Sequence, residues 1–337
     1  MKQFIEKCLD GEHLSADEAA SALDLIMTNQ ATDAQIAGLL VALRARGESV
    51  SEIVGFARTM RAKAVKICVD DPDAIDMCGT GGDGLGTFNI STVASLVASG
   101  AGVTVAKHGN RSVSSRSGSA DLLSALGVNI QLSPERTQEC VNSVGVGFLF
   151  APLFHPAMKA AGRARTELGI RTIFNMLGPI TNPAGVRKQL IGTYHTNVAS
   201  KLAGALRELS TEKACVVHSD NGMDEVGVSG NTHVFEVNSL GPVRDYAVSP
   251  SHFGICEQPA SAVQGGSTEE NAAIARRVLA GERNPARDVV VANAAFGIYV
   301  AGRAKDLKEG SAMAAESIDS GRAAKTLQNL VAFTTQA

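Results

Sequence analysis

Apolar residues in the first part of the chain recur at helical spacing, and helix-start sequences stand regularly among them. Ser15, Thr32 and Ser49 are each followed three residues later by Glu or Gln, the capping-box arrangement that satisfies free N–H groups at a helix start. The residues after Thr32 keep the spacing of one helix face: Ile36, Leu39, Leu40 and Leu43. Residues 1–70 are therefore predicted to form a small, all-helical lobe.

From residue 72 the pattern changes to short apolar runs that alternate with amphipathic segments. Strands are predicted at residues 74–78, 103–106, 128–132 and 145–150, and helices at 91–100, 117–126 and 134–143. Such alternation is typical of a lobe with a mostly parallel central sheet flanked by helices. Ligands of these sheets bind beyond the carboxyl ends of the strands.

The same pattern resumes after a less regular stretch. The pattern of residues 152–169 predicts one long helix. Residues 172–183 contain one Gly-Pro and one Asn-Pro dipeptide, which interrupt regular structure. Further strands are predicted at 189–193, 214–218, 225–228, 233–237 and 243–248, and further helices at 197–209 and 268–281. The predicted fold class is α/β, with a larger lobe over 71–337, a hinge near 66–75, and a helical contribution to the small lobe from about 170–185.

Composition narrows the class of protein. The chain is 45% hydrophobic with a formal net charge of −3, which argues against a nucleic-acid or anionic-membrane partner. Its six cysteines are dispersed without a C-x-x-C pair, as expected for free thiols in a reducing compartment. The first fifteen residues lack an apolar run, so we expect no secretory signal and a cytoplasmic location.

Two glycine-containing loops follow predicted strands. The first reads GTGGDG over residues 79–84 and leads to Asn89, Ser91 and Thr92 at a helix start. Glycines and a helix N-terminus together offer free N–H groups to an anion. A dinucleotide site would also need an acidic residue about 20 positions on, where the chain instead has Lys107 and His108. The loop is therefore predicted to bind phosphate.

The second loop begins at Lys107 with the sequence KHGNR and continues with a run of serines. Mixed basic residues are commonly just a solvated surface, but this many glycine, asparagine and serine residues favour a polar nest for phosphate oxygens. Asp83 in the first loop has open alternatives: its carboxylate either shapes the turn or faces a ribose hydroxyl or a metal ion.

Acidic and basic residues elsewhere leave further alternatives. Asp224 and Glu225 form an isolated acidic pair after a turn, which beside a phosphate site becomes a candidate for Mg²⁺. Arg163, Arg165 and Arg171 lie around a predicted helix end, where they either complement the helix dipole or recognise a carboxylate.

Together the segments GTGGDG, NIST, KHGNRSVSSRSGSAD, RTIFNMLGPITNPA and MDEVGVSG resemble the anthranilate phosphoribosyltransferase family of tryptophan biosynthesis over nearly the whole chain. The resemblance implies a helical lobe, a larger α/β lobe and a homodimer formed through the helical lobe. It also implies transfer of a phosphoribosyl group from phosphoribosyl pyrophosphate to the amine of anthranilate, with Mg²⁺ as cofactor.

The resemblance assigns the site residues as follows. Residues expected at the phosphoribosyl pyrophosphate are Gly79, Gly82, Asp83, Thr87, Asn89, Ile90, Ser91, Thr92, Lys107, His108, Gly109, Asn110, Arg111, Ser112, Val113, Ser114, Ser115 and Ser119. Those expected at Mg²⁺ are Ser91, Asp224 and Glu225. Those expected at anthranilate are Gly79, Asn110, Arg165 and His155, with His108 also lining its path. No single acid or base is implied; Lys107 and His108 are the candidates.

Two alternatives share this fold. A pyrimidine nucleoside phosphorylase would need an orthophosphate site and a base-reading set, which the second loop and the acidic pair fit poorly. A non-catalytic nucleic-acid-binding relative would need a basic groove, and the net charge of −3 argues against one. The expected partners are therefore small molecules, with neither nucleic acid nor membrane.

Overall fold

The computed structural model describes residues 1–112, 116–239 and 241–336. The small lobe begins with four helices: α1 (Lys2–Leu9), α2 (Ala16–Met27), α3 (Asp33–Arg46) and α4 (Val50–Lys63). The capping boxes at Ser15, Thr32 and Ser49 all form, with each hydroxyl accepting from the N–H group three residues on. The helix starts were therefore predictable from short-range hydrogen bonding.

The larger lobe is built on a seven-stranded sheet. Its strands are β1 (Ile75–Gly79), β2 (Val105–Gly109), β3 (Val146–Phe150), β4 (Lys188–Gly192), β5 (Lys213–Ser219), β6 (Thr232–Asn238) and β7 (Arg244–Val248). They stand in the order β3-β2-β1-β4-β5-β6-β7. The first five in that order are parallel, and β6 and β7 add on antiparallel. The predicted α/β class with a mostly parallel sheet is confirmed.

Helices cover both faces of this sheet. They are α5 (Ile90–Gly100), α6 (Ser119–Ala125), α7 (Pro134–Val144), α8 (Ala151–Phe154), α9 (Gly162–Leu168), α10 (Phe174–Leu177), α11 (Thr196–Glu208), α12 (Thr268–Leu279), α13 (Pro285–Val300), α14 (Leu307–Asp319) and α15 (Arg322–Thr335). Within the described ranges, none of the helices is both long and apolar enough to cross a membrane.

Two hydrophobic cores lie on either side of the sheet. One packs α5, α13 and the C-terminal helices against one face. The other joins α1–α4 and α11 to the opposite face, and includes Phe174, Leu177 and Ile180 from the segment that follows α9. The small lobe is thus packed directly on the sheet rather than standing apart from it.

Three predicted elements were wrong. Residues 128–132 do not form a strand: Val128, Ile130 and Leu132 are buried alternately, as in a strand, but the N–H group of Asn129 donates to the Thr334 hydroxyl on α15, 3.1 Å away. The alternation reflects packing on a helix, which periodicity could not distinguish from pairing with a strand.

Residues 225–228 are also irregular, because side chains take the place of a neighbouring strand. Asn293 on α13 accepts from the Val226 N–H group at 3.0 Å and donates to the Val226 carbonyl at 2.9 Å. The Gly227 N–H group donates to the Thr232 hydroxyl. A backbone satisfied in this way needs no sheet partner.

The long helix predicted at 152–169 is divided into α8, a 3₁₀ segment over Pro156–Ala161, and α9. Pro156 lacks an N–H group and disfavours a helical conformation at the residue before it. His155 accordingly has φ −125° and ψ 58°. The break at this point turns the His155 side chain into the interior, where it is 5% exposed.

Glu52 is the main buried charge of the small lobe, with a side chain that is 0% exposed. Its carboxylate accepts from the N–H groups of Leu14 (2.8 Å) and Ser49 (2.7 Å) and from the Arg46 guanidinium. Burial raises the pKa of Glu52, but these hydrogen bonds outweigh it and leave the pKa below its usual value. One carboxylate therefore fixes the loops before α2 and α4.

We predict that Glu52→Gln lowers the free energy of unfolding by about 3 kcal/mol at neutral pH, because the amide N–H₂ would face donors and Arg46 would lose its partner. Since the folded pKa is lowered, this contribution is present above about pH 4.3 and is lost as pH falls further. Urea unfolding at pH 7 and pH 3 measures it, with the exposed Glu6→Gln on α1 as control. A wild type no more sensitive to acid than Glu52→Gln would contradict the assignment.

Candidate functional site

The direction of strand order reverses between β1 and β4, which places a topological switch point at their carboxyl ends. The chain leaves β1 toward β2 on one side and leaves β4 toward β5 on the other. Gly79 and Gly192 are paired at this end of the two strands. In open α/β sheets, a ligand crevice forms at such a point.

Asp224 occupies the space between those two strand ends. A Cβ atom on Gly192 would lie 1.6 Å from the Asp224 carbonyl oxygen, and one on Gly79 would lie 2.5 Å from its Oδ2. The same Oδ2 accepts from the Gly81 N–H group at 2.7 Å. Both strands must therefore end in glycine for Asp224 to reach the first loop.

Asp83 brings a second carboxylate to this position. Its Oδ1 accepts from the Leu85 N–H group at 3.1 Å, so it does shape the turn. Its Oδ2 is buried and has no hydrogen-bond partner among the described residues. Burial, and then the Asp83 charge, raise the pKa of Asp224. Of the alternatives left open for Asp83, the structure shows that one oxygen shapes the turn, and the same carboxylate also acts on Asp224.

Glu225 connects this acidic group to the start of α5. Its Oε1 accepts from the Ser91 N–H group at 3.1 Å. Asn89 stands at the N-cap position, but its side chain does not cap the helix; it donates to the Ser117 carbonyl at 2.9 Å instead. Burial, and then Asp224, raise the pKa of Glu225. The helix start therefore meets a carboxylate that itself has no direct cationic partner among the described ion pairs.

These residues fit an Mg²⁺ site that is completed by water and phosphate oxygens, rather than a metal site made of protein ligands alone. Over the described ranges, no three His, Cys, Asp or Glu side chains are arranged as a complete ligand set. Mg²⁺ in proteins typically takes one or two carboxylates and completes its shell with water and phosphate oxygens. Crowded carboxylates with raised pKa values and an unpartnered Asp83 oxygen are what a divalent cation would stabilise.

Lys107 lies beneath the acidic group on β2. It is 3% exposed, and its Nζ donates to the Met77 carbonyl. Its charge favours ionisation of both Asp76 and Glu225. Burial nevertheless raises the pKa of Asp76 to about 6. The described contacts of the Lys107 ammonium are thus inside the sheet.

The second loop is organised by Asp121 on α6. The Asp121 carboxylate accepts from the Arg111 guanidinium at 2.7 Å, and from the N–H groups of Ser112 (3.2 Å) and Gly118 (2.9 Å). The Ser119 hydroxyl donates to the Asn110 carbonyl. Both ends of the loop are held together in this way. Val113, Ser114 and Ser115 lie outside the described residues.

The remaining members of the first loop connect it to other parts of the lobe. Thr87 forms an isolated bridge with Gln264, and the Gly265 N–H group donates to the Gly86 carbonyl. Ile90 and Thr92 are buried in the first turn of α5, and the Thr92 hydroxyl has no described partner. Gly109 ends β2 against the Ser119 hydroxyl. The hydrogen bond from Asn89 to the Ser117 carbonyl places the two loops next to each other.

His108 and His155 form a pair, with ring centroids 5.1 Å apart. His108 Nδ1 lies 3.1 Å from the Gly178 carbonyl, and its backbone N–H group donates to Asp76. Burial lowers the pKa of His108 to about 3 and that of His155 to about 4. Both rings are therefore uncharged at neutral pH, and His108 Nδ1 acts as the donor to Gly178.

The three arginines lie in different environments. Arg163 is exposed and paired with Glu167 at 2.8 Å. Arg165 stacks over the Phe174 ring at 5.0 Å, makes no ion pair with a described residue, and burial lowers its pKa. Arg171 lies over Tyr194 at 4.1 Å and against Gly82, where a Cβ atom would lie 3.0 Å from its Nη2.

Sequence reasoning missed two of these roles. Arg171 was not among the expected donor contacts, although it adjoins the first loop. Asp76 was not considered either, although its carboxylate accepts from the His108 N–H group and from the Asn182 side chain at the base of the second loop. A charged residue inside a buried strand was the available signal, because a buried carboxylate needs partners.

Comparison with known proteins gives a consistent set of matches. Residues 2–64 match the family model "Glycosyl transferase family, helical bundle domain", and residues 71–324 match "Glycosyl transferase family, a/b domain". Anthranilate phosphoribosyltransferase from Moorella thermoacetica is 51% identical over 99% of this chain and 98% of its own length.

Solved structures agree. The anthranilate phosphoribosyltransferase of Thermus thermophilus has a TM-score of 0.93 at 44% identity, covering 98% of this chain and 99% of that one. The Saccharomyces cerevisiae enzyme, solved in complex with PRPP (phosphoribosyl pyrophosphate) and Mg, has a TM-score of 0.90 at 30% identity, covering 99% and 98%.

We predict that Gly192→Ala lowers the free energy of unfolding by about 2 kcal/mol or more, because the new methyl group overlaps the Asp224 carbonyl and rigid backbone must move. Chemical denaturation measures this. Gly162→Ala is the matched control, since Gly162 has φ −60° and open space at its Cβ position. Equal stability of the two variants would show that the strand ends and Asp224 are not in close contact.

Proposed function

The chain belongs to the anthranilate phosphoribosyltransferase family, and from that premise we propose how its own residues carry out the reaction. The enzyme transfers the 5-phosphoribosyl group of phosphoribosyl pyrophosphate to the amine of anthranilate, giving N-(5-phosphoribosyl)anthranilate and pyrophosphate in tryptophan biosynthesis. The observation that carries the assignment of residues is the acidic group between the two strand ends, formed by Asp83, Asp224 and Glu225.

Mg²⁺ is held by Asp224, Glu225 and Ser91 in this proposal. Support comes from the contact between the Ser91 N–H group and Glu225, and from the raised pKa values of both acids. The yeast relative was solved with PRPP and Mg. When bound, the cation would neutralise charge that develops on the departing pyrophosphate. Asp83, whose carboxylate raises the pKa of Asp224, would add negative charge to the same site.

Phosphoribosyl pyrophosphate binds across the two loops. The residues at this substrate are those expected from the resemblance: Gly79, Gly82, Asp83, Thr87, Asn89, Ile90, Ser91, Thr92, Lys107, His108, Gly109, Asn110, Arg111, Ser112, Val113, Ser114, Ser115 and Ser119. Their backbone N–H groups, hydroxyls and cations would supply the donors, although the Ser91 N–H group already donates to Glu225. The Lys107 charge lowers the pKa of Glu225, although burial and Asp224 still leave that pKa raised, and Arg171 adds a cation beside Gly82. Preorganised donors of this kind stabilise the leaving diphosphate.

Anthranilate is held by its carboxylate at Arg165, with Asn110, the Gly79 backbone, His108 and His155 around it. Arg165 suits this role because it is half-buried and has no described ion pair. The acceptor amine is a neutral aniline, so it needs no strong base before attack. The uncharged rings of His108 and His155 are consistent with that requirement, since they do not add a positive charge beside the developing cation on the sugar.

We extend the proposal to assembly, location and domain limits. A homodimer through the helical lobe is supported by Leu9 on α1 and Val41 on α3, which are 71% and 42% exposed. A cytoplasmic location is supported by six free cysteines, of which Cys68 and Cys256 are exposed. The lobes are taken as 1–70, with 170–185 packed on it, and 71–337.

The two alternatives are not favoured. The curated relative and the solved neighbours named above are anthranilate phosphoribosyltransferases. A phosphorolysis assay with thymidine and a gel shift with single-stranded DNA would each give no signal under this proposal.

We predict that anthranilate fluorescence decays only when enzyme, phosphoribosyl pyrophosphate and Mg²⁺ are all present. Asp224→Asn with Glu225→Gln should reduce turnover at least about 100-fold, because metal stabilisation of the leaving group contributes several kcal/mol. Circular dichroism checks the fold, and Asp245→Asn, an exposed acid on β7, is the control. Wild-type turnover in the double variant would remove the metal assignment while leaving the reaction intact.

We predict that Arg165→Ala raises the KM for anthranilate roughly 10- to 100-fold and leaves the KM for phosphoribosyl pyrophosphate nearly unchanged, since one charge-assisted hydrogen bond to the carboxylate is lost. Arg163→Ala on the same helix is the matched control. Parallel changes in the two KM values for Arg165→Ala would count against a carboxylate contact.

A further inference from the structure

A cavity of about 250 Å³ lies between the end of α4 and the segment that leads into β4. Arg61 and Lys66 approach it from the small-lobe side, and Asn182, Val186 and Gln189 from the sheet side. None of its lining residues belongs to the sets proposed above for the donor, the acceptor or the metal. Its volume lies just below the range of drug-sized pockets, so it suits a small molecule.

Arg61 is the unusual member of this cavity. Its Nε donates to the Ile180 carbonyl at 2.8 Å, and its two Nη groups make no hydrogen bond to any residue in the described ranges. Burial lowers its pKa, and no carboxylate is close enough to counter that effect. The Nη groups are not fully buried, so they face the cavity, where they can donate to an anion that the protein itself does not supply.

The rest of the lining explains which ligand would be accepted. Asn182 is fully engaged: its Nδ2 donates to Asp76 and to the Ala106 carbonyl, and its Oδ1 accepts from the Ala184 N–H group. Gln189 donates to the Pro179 carbonyl. The free donors are therefore those of Arg61 and Lys66, while Ala62, Pro183 and Val186 supply apolar wall. No Asp or Glu lines the cavity.

We infer that this cavity binds a small organic carboxylate, whose oxygens are held by the free Nη fork of Arg61 and whose apolar body lies against Pro183 and Val186. The planar guanidinium matches a carboxylate with two parallel hydrogen bonds, which an ammonium cannot reproduce. Because Arg61 comes from α4 and Asn182 and Gln189 from the sheet side, an occupant contacts both lobes at once.

Benzoate is the probe, and benzamide, which has the same shape without the charge, is its neutral control. Benzoate also resembles anthranilate, so the titration is made by calorimetry in the Arg165→Ala background. In the Arg165→Ala background, we expect Arg61→Gln to weaken benzoate binding at least about tenfold. Benzamide should bind poorly whether or not Arg61 is replaced. Arg58→Gln, at an exposed arginine of the same helix, should leave the affinity unchanged.

Arg61→Lys gives a second measurement if the glutamine variant is unstable, because it keeps the charge near the helix end but loses the fork. A loss of affinity in Arg61→Lys supports the proposal. Benzoate binding that is equal in Arg61→Gln, Arg61→Lys and the parent, or absent from the parent itself, overturns it. Neither result bears on phosphoribosyl transfer, which the fluorescence assay tests separately.

Discussion

The site depends on one close approach: the backbone and the carboxylate of Asp224 lie against the ends of two parallel strands, and both of those ends are glycine. Gly79 and Gly192 leave room for the acidic pair to enter the crevice that the reversal of strand order creates. Once there, the carboxylates accept from the first loop and from the start of α5. Two elements far apart in sequence, the glycine loop and the acidic pair, are thereby joined into one electrostatic unit.

The negative charge of this unit is not balanced by the cations around it. Asp224 interacts with the carboxylates of Asp83 and Glu225, and the Lys107 ammonium near Glu225 is engaged with the Met77 carbonyl. Burial and mutual repulsion favour the protonated forms of Asp224 and Glu225. A divalent cation bound at such a site would favour the ionised forms instead. Under the function proposed above, the unfavourable free energy of crowding these acids would be offset when the metal binds with the donor, and the affinities for metal and donor would be linked.

Much of this arrangement could be predicted from sequence, and the errors have physical causes. Capping boxes and strand-helix alternation depend on neighbours in the chain, so the helices of the small lobe and the parallel sheet were predictable. Residues 128–132 and 225–228 were not, because their backbone groups are satisfied by Thr334 and Asn293 from distant helices. The roles of Arg171 and Asp76 likewise depend on contacts across the fold. The sequence pattern indicates which groups need partners, but it does not show which distant group provides them.

The bridge from Asn293 to Val226 has a consequence for how this protein tolerates change. Residue 226 directly follows the acidic pair, and its only described backbone partners are on one amide of α13. That helix is almost wholly buried and touches the sheet through tightly fitted residues such as Gly297 beside Met77. The position of the acidic pair therefore depends on the packing of α13. Substitutions in that interior would therefore move the acidic pair as well as lower stability.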